Sequence, residues 1–129
     1  MKPDCPVKFG TDGWRAVIGE DYTFENIRLV AQATADHFAH KYTRTTHKQM
    51  VVGYDRRFLS NEFAQVTAEV LSANGYEVLL ADRPVPTPTV SWYTAKKKAR
   101  AGIMITASHN PARFNGFKIK LHHGGPADP

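Results

Sequence analysis

The stretch Ala101-Gly102-Ile103-Met104-Ile105, running straight into Thr106-Ala107-Ser108-His109-Asn110-Pro111, decides how this chain is read. The first five residues have the length and apolar character of a short buried strand. The chain then breaks into small polar residues and turns at Asn110-Pro111. A hydroxyl, an imidazole and an amide are thereby gathered in a loop leaving the C-terminal end of a strand. In open α/β sheets ligands bind at that end.

Working outward, Phe117, Ile119 and Leu121 alternate with Lys118, Lys120 and His122, which predicts a further strand. Its lysine face reads as solvated or edge-protecting. Upstream, Met50 to Tyr54 is a strand finishing in Asp55-Arg56-Arg57. An acid and two arginines at a strand end suit phosphate, because guanidinium presents a rigid fork; a surface salt-bridge network competes with that reading. A second helix is expected from Ser60 or Asn61 as cap, with Phe63, Val66, Thr67 and Val70 inward and Asn74-Gly75 as the stop. Tyr76 to Ala81 is a strand. Thr87 and Pro88 open a third helix ending near Arg100.

At the other end, Asp12-Gly13 is a turn signal between Phe9 and Trp14, and Trp14, Ala16 and Ile18 alternate as in a strand. Gly10 to Gly13 reads as a tight turn; its amides and Arg15 could also approach an anion. Thr23 caps a first helix reaching about Tyr42, with Ile27, Val30, Ala31, Thr34, Phe38 and Tyr42 on one face. Thr43 to Lys48 is a polar connection. The order strand, helix, strand, helix, strand, helix, strand, strand predicts an α/β fold. It is a three-layer α/β/α sandwich on a small, mostly parallel (mixed) sheet.

The 129 residues make one domain, with 42% hydrophobic and 22% charged residues. Cys5 stands alone, so neither an intrachain disulfide nor a cysteine-rich zinc site arises. No run approaches membrane-spanning length and Met1 to Lys8 lacks a signal-peptide core, so a cytoplasmic location is expected and a membrane partner is not. The net charge of +5 fits either nucleic acid or phosphorylated small molecules. Lys96-Lys97-Lys98 with Arg100 reads as a solvated helix end complementing the dipole, and aromatics are not interleaved with basic residues as a stacking platform needs. No nucleic-acid partner is expected, and a phosphoryl-bearing Ser108 is the leading reading.

Five segments together carry a family resemblance: Phe9-Gly10-Thr11-Asp12-Gly13-Trp14-Arg15, Gly53-Tyr54-Asp55-Arg56-Arg57, Pro86-Thr87-Pro88, Thr106 to Pro111, and Asn115-Gly116-Phe117-Lys118. The set resembles domain I of the α-D-phosphohexomutases, the phosphoglucomutase/phosphomannomutase enzymes. The resemblance implies interconversion of hexose 1-phosphate and hexose 6-phosphate of glucose or mannose type. Ser108 would carry the phosphoryl group, and hexose 1,6-bisphosphate would be intermediate and activator. It further implies Arg15, Asn110, Arg57 and Lys118 as phosphate or substrate contacts. Ser108, His109, Lys118 and Arg15 are the implied catalytic set. Which of Lys118, His109 and Arg15 handles the proton stays open. Mg²⁺ would meet Ser108 through its phosphate, with the other ligands in a different domain.

Phosphoryl transfer asks mainly for positioning and charge stabilisation, and phosphoserine brings about −1.5 to −2 charges that need cations nearby. Residues 1–122 are expected to be the domain and 123–129 the start of a linker. The partners implied are a phosphorylated hexose and the remaining mutase domains, and the chain alone is expected to lack appreciable turnover. A non-catalytic phosphorylatable binding domain is the alternative. A serine hydrolase is disfavoured because no Gly-x-Ser-x-Gly elbow surrounds Ser108. A metal site at His109, His122 and His123 is disfavoured because the latter two point to opposite faces of a strand.

Overall fold

The computed structural model describes residues 4–40 and 48–128. β4 (Ala101–Ile105) is buried at every position, as a strand flanked by others and covered on both faces must be. β2 (Gln49–Tyr54) lies parallel to it, Met50 opposite Ala101 and Tyr54 opposite Ile105. β3 (Glu77–Leu80) adds parallel to β2 at the edge. On the other side β5 (Phe114–Leu121) pairs antiparallel with β4, and β1 (Trp14–Val17) antiparallel with β5. The order is β1-β5-β4-β2-β3, so every strand but β5 runs one way. This is the α/β sandwich with a mixed, mostly parallel sheet that the element order predicts.

Strand side chains alternate between two helical layers. Met50, Val52, Ile103, Ile105 and Phe117 face α1 (Phe24–His40) and α2 (Ser60–Ala73), meeting Ile27, Phe38, Phe63 and Leu71. Val51 and Met104 face α3 (Thr87–Lys96) through Val90. That third helix sits very close to the sheet because β2 and β4 offer Gly53 and Gly102 beneath it. A Cβ on Gly102 would run into Thr94 Oγ1, and one on Gly53 into Val90.

Local details differ from the sequence-based expectations for physical reasons. Thr23 does cap α1, accepting the Asn26 N–H at 3.2 Å; Tyr42 and most of the polar connection lie outside the described residues. The α2 cap is neither Ser60 nor Asn61 but Leu59, held at φ +61°. Ser60 is unavailable because its hydroxyl turns inward to Asp55. Leu71, not Val70, completes the buried α2 stripe. Pro86 caps α3, one residue earlier than expected, with Pro88 in its first turn. The helix stops at Lys96, and Lys98 takes a left-handed φ of +52°. Lys96 to Lys98 are exposed, but Arg100 is buried and donates to the Phe38 carbonyl, so it does not belong to the solvated helix end.

Two further corrections concern β5. Lys118 and Lys120 are buried, not a solvated face. The tail, read as the start of a linker, folds back over part of its length: Leu121 N–H donates to Gly125 O, Ala127 N–H to Ile119 O, and Lys120 bridges to Pro126. β1 begins level with Phe117, leaving the β5 edge beyond it unpaired, and residues 125–127 satisfy those backbone groups. Among the described residues no helix is long and apolar enough to cross a membrane.

Candidate active site

The strand register assembles the site. Because Tyr54 is opposite Ile105, the loops after β2 and β4 leave the same rim side by side. Trp14 is opposite Phe117, which is itself opposite Ile105, so β1 starts where β4 stops. Residues 12–15, the turn before β1 and its first two positions, therefore flank the 106–110 loop. The turn before β1 lies directly on β5 because residue 13 is glycine at φ +86°. A Cβ there would stand 2.5 Å from the Phe117 carbonyl oxygen and 3.1 Å from Lys118 Cα.

Asp55 and Arg57 frame the loop. The Asp55 carboxylate accepts from Thr106 Oγ1 at 2.6 Å, Ser60 Oγ at 2.7 Å and the Arg57 N–H at 2.9 Å. Thr106 Oγ1 in turn accepts the Ser108 N–H at 3.1 Å, and Asn115 Nδ2 donates to Ser60 Oγ at 2.9 Å. Arg57 gives two donors to four carbonyls: Pro111 at 2.8 Å, Phe114 at 3.1 Å, Ser108 at 2.7 Å and Asn110 at 2.7 Å. Its Nε lies 3.4 Å from Asp55. Read from sequence as either a phosphate fork or part of a salt-bridge network, Arg57 pairs with Asp55 and has its terminal nitrogens committed to loop backbone; it braces the loop that displays Ser108.

Ser108 is exposed at the tip, with φ +53°. Lys118 Nζ, on a side chain only 6% exposed, donates to Ser108 Oγ at 2.6 Å and to Asp12 Oδ2 at 2.8 Å. Arg15 donates to Asn110 Oδ1 at 2.8 Å and approaches Asp12 at 3.9 Å; Lys120 Nζ reaches the other Asp12 oxygen at 3.9 Å. Partial burial works to raise the Asp12 carboxyl. The hydrogen bond from Lys118 and the charges of Lys118, Lys120 and Arg15 outweigh it and hold the acid below its ordinary range. Three cations share one carboxylate, so the rim around Ser108 is net positive. His109 is exposed beside Ser108, but the group on the hydroxyl is Lys118.

The cradle holds the Ser108 hydroxyl at the C-terminal ends of the parallel strands β2 and β4. Residues 6–129 match the model of the phosphoglucomutase/phosphomannomutase alpha/beta/alpha domain I. The chain belongs to the phosphoglucomutase/phosphomannomutase family. Phosphoglucomutase of Staphylococcus saprophyticus is 37% identical over 126 residues, covering 95% of this chain and 22% of that protein. Human glucose 1,6-bisphosphate synthase is 38% identical, covering 93% of this chain and 21% of that protein. The structure of a phosphomannomutase from Thermus thermophilus superposes with a TM-score of 0.89 at 39% identity, covering 95% of this chain and 27% of the other. The chain thus spans between a fifth and a quarter of the length of these curated phosphomutase relatives.

No group of three His, Cys, Asp or Glu side chains that could hold a metal occurs among the described residues, and cations surround Ser108. Sequence reasoning placed Ser108, Lys118, Arg15 and Asn110 in one site, and the fold brings them together. It missed Asp12 as the hub of the cations, Lys120 as a member, and Thr106 and Ser60 as supports. The signal for Asp12 was its place in a glycine-flanked turn, read as a tight turn or as amides and Arg15 approaching an anion, with no part given to the carboxylate.

Beneath the site, the Tyr22 hydroxyl donates to Gly116 O at 2.7 Å and the ring is fully buried. Burial, and then the charge of Asp55, push its phenol well above its ordinary value of 10.0. The folded state therefore keeps the proton while the unfolded chain loses it above pH 10. Stability present below pH 10 should decline as pH rises beyond it, by about 1.4 kcal/mol per unit. Urea titrations between pH 9 and 11 should show a steeper loss for the parent than for Tyr22→Phe. At pH 7 that variant should cost about 1 kcal/mol for the lost hydrogen bond, the Gly116 carbonyl keeping the Thr106 N–H at 3.0 Å. Equal alkaline slopes would contradict the assignment.

Proposed function

We propose that this chain is the phosphoserine-bearing domain of a phosphohexomutase. The enzyme interconverts hexose 1-phosphate and hexose 6-phosphate of glucose or mannose type through a hexose 1,6-bisphosphate. The observation that carries this reading is Lys118 Nζ at 2.6 Å from Ser108 Oγ with Asp12 behind it. In the forward half-reaction the bond between phosphorus and Ser108 Oγ breaks while one forms from phosphorus to the sugar hydroxyl oxygen. The proton lost by the sugar hydroxyl is matched by the one that the freed serine oxygen gains, so the half-reaction neither consumes nor releases a proton overall. Lys118 is the group in contact with that oxygen, stabilising it as charge develops and supplying the hydrogen bond through which it is reprotonated. The sugar bisphosphate then returns its other phosphate to Ser108 by the same steps reversed.

Arg15 orients Asn110 at the edge of the loop and adds positive charge for the incoming phosphate. Arg57 holds the loop backbone. Mg²⁺, bound through the phosphoserine and ligands of another domain, would supply further charge neutralisation for the transferring group. The partners are a phosphorylated hexose and the remaining mutase domains, and the location is cytoplasmic. The chain alone is inactive, a reading supported by its spanning about a fifth of the length of its relatives.

The test is to substitute this chain for domain I of the Staphylococcus saprophyticus phosphoglucomutase. The expected result is turnover of glucose 1-phosphate, with phosphate mapped by mass spectrometry to Ser108. Phosphate on another residue of an active chimera would overturn the phosphoserine reading. Robust turnover by the 129-residue chain alone would overturn its inactivity.

A further inference from the structure

Lys120 is absorbed neither by the motif that defines the family resemblance nor by the steps above. It is two residues from Lys118 on the same face of β5, and its side chain is 9% exposed. A lysine in such a place is costly unless its charge is answered. Among the described residues the carboxylate within ion-pair distance of it is Asp12, at 3.9 Å through Oδ1. Lys118 takes Oδ2 of that same carboxylate. One carboxylate thus serves two buried lysines, one on each oxygen, and the closer lysine also touches Ser108.

We infer that Lys120 is a positioning residue that holds Asp12 when Lys118 turns to a phosphate on Ser108, so that the rim keeps two net positive charges facing the phosphoserine. The inference rests on the phosphoserine reading of Ser108 and extends it. With Ser108 free, Lys118 divides its hydrogen bonds between Oγ and Asp12. A phosphoryl dianion at Ser108 would compete with Asp12 for Lys118, and a carboxylate released there would repel the phosphate. Lys120 stands on the far oxygen and prevents that release. The three cations Lys118, Lys120 and Arg15 against one Asp12 leave a surplus of two charges, which matches the roughly −2 of phosphoserine. The other groups at the rim are His109 on the loop and the Asp55–Arg57 pair, which is engaged with the loop backbone.

The experiment uses the 129-residue chain with phosphoserine installed at position 108 by codon reassignment, and follows the phosphate by ³¹P NMR from pH 4 to 9. An unassisted phosphoserine has a second pKa of about 6. The expected result is a parent titrating at least one unit lower. Lys120→Met should move it back up by roughly 0.5 to 1 unit, and Lys120→Arg should restore the parent value. A parent lowered to the same extent as Lys120→Met would overturn the role of Lys120 and leave the phosphoserine cradle standing. A parent titrating near 6 would overturn the cradle, and this inference with it. Lys120→Gln, checked for folding by near-ultraviolet circular dichroism, replaces Lys120→Met if the latter does not fold.

Discussion

Lys118→Met in the chimeric mutase should lower kcat about a thousandfold with little change in fold. The methionine fills nearly the same volume along β5, so packing beside Met104 is retained. What disappears is the donor 2.6 Å from Ser108 Oγ, together with the closest partner of Asp12. Removing one preorganised donor from a developing oxyanion costs on the order of 10² to 10³ in rate. Here the loss is compounded, because Asp12 would then face the phosphate with one cation fewer. Lys118→Arg should recover only part of the rate, since a planar fork cannot occupy the position of a compact ammonium. His109→Gln should cost less than tenfold by comparison. Steady-state assays of the three variants decide between Lys118 and His109 in the proton question left open by sequence. If His109→Gln abolished turnover and Lys118→Met spared it, the assignment would reverse.

Arg57→Ala should be the most destabilising single change at the rim, by about 2–4 kcal/mol in urea unfolding. Four carbonyls between Ser108 and Phe114 lose the Arg57 donor at once, Pro111 O keeping a backbone partner in the Phe114 N–H, and Asp55 loses its cation. These bonds share one guanidinium and one loop, so their energies do not add, which sets the upper bound. Arg57→Lys should recover less than half, since an ammonium cannot span carbonyls on both sides of the loop. Hydrogen exchange should show the effect as faster exchange confined to residues 106–116. A variant as stable as the parent would mean that the carbonyls are equally well satisfied by water.

The layered fold was legible because its strands are marked by unmistakable apolar runs and its helices by glycine and proline punctuation. Thr23, Asn74-Gly75 and the burial of β4 all turned out as expected. The errors are instructive. Ser60 has the chemistry of a cap, but a carboxylate five residues earlier competes for its hydroxyl and wins. Lys118 and Lys120 alternate with apolar residues just as a solvated face would. Only the stagger of β1, a long-range register, brings Asp12 over them and makes their burial tolerable. Arg57 carried the right residue type for phosphate, and its use on carbonyls depends on how the 108–114 segment folds back across it. Local pattern specifies elements; the partners of charged groups are set by register between segments far apart in the chain.

Ser108 sits at φ +53°, a region where side chains with a Cβ are held at a cost of about 1 kcal/mol and glycine is at ease. The residue that carries the proposed chemistry is therefore one that backbone energetics alone would discard. A library of this domain selected only for heat resistance would drift toward glycine or asparagine at position 108. Durability and usefulness are opposed at that single codon, and any stabilising campaign has to be tied to a readout of phosphoryl capture to keep the serine.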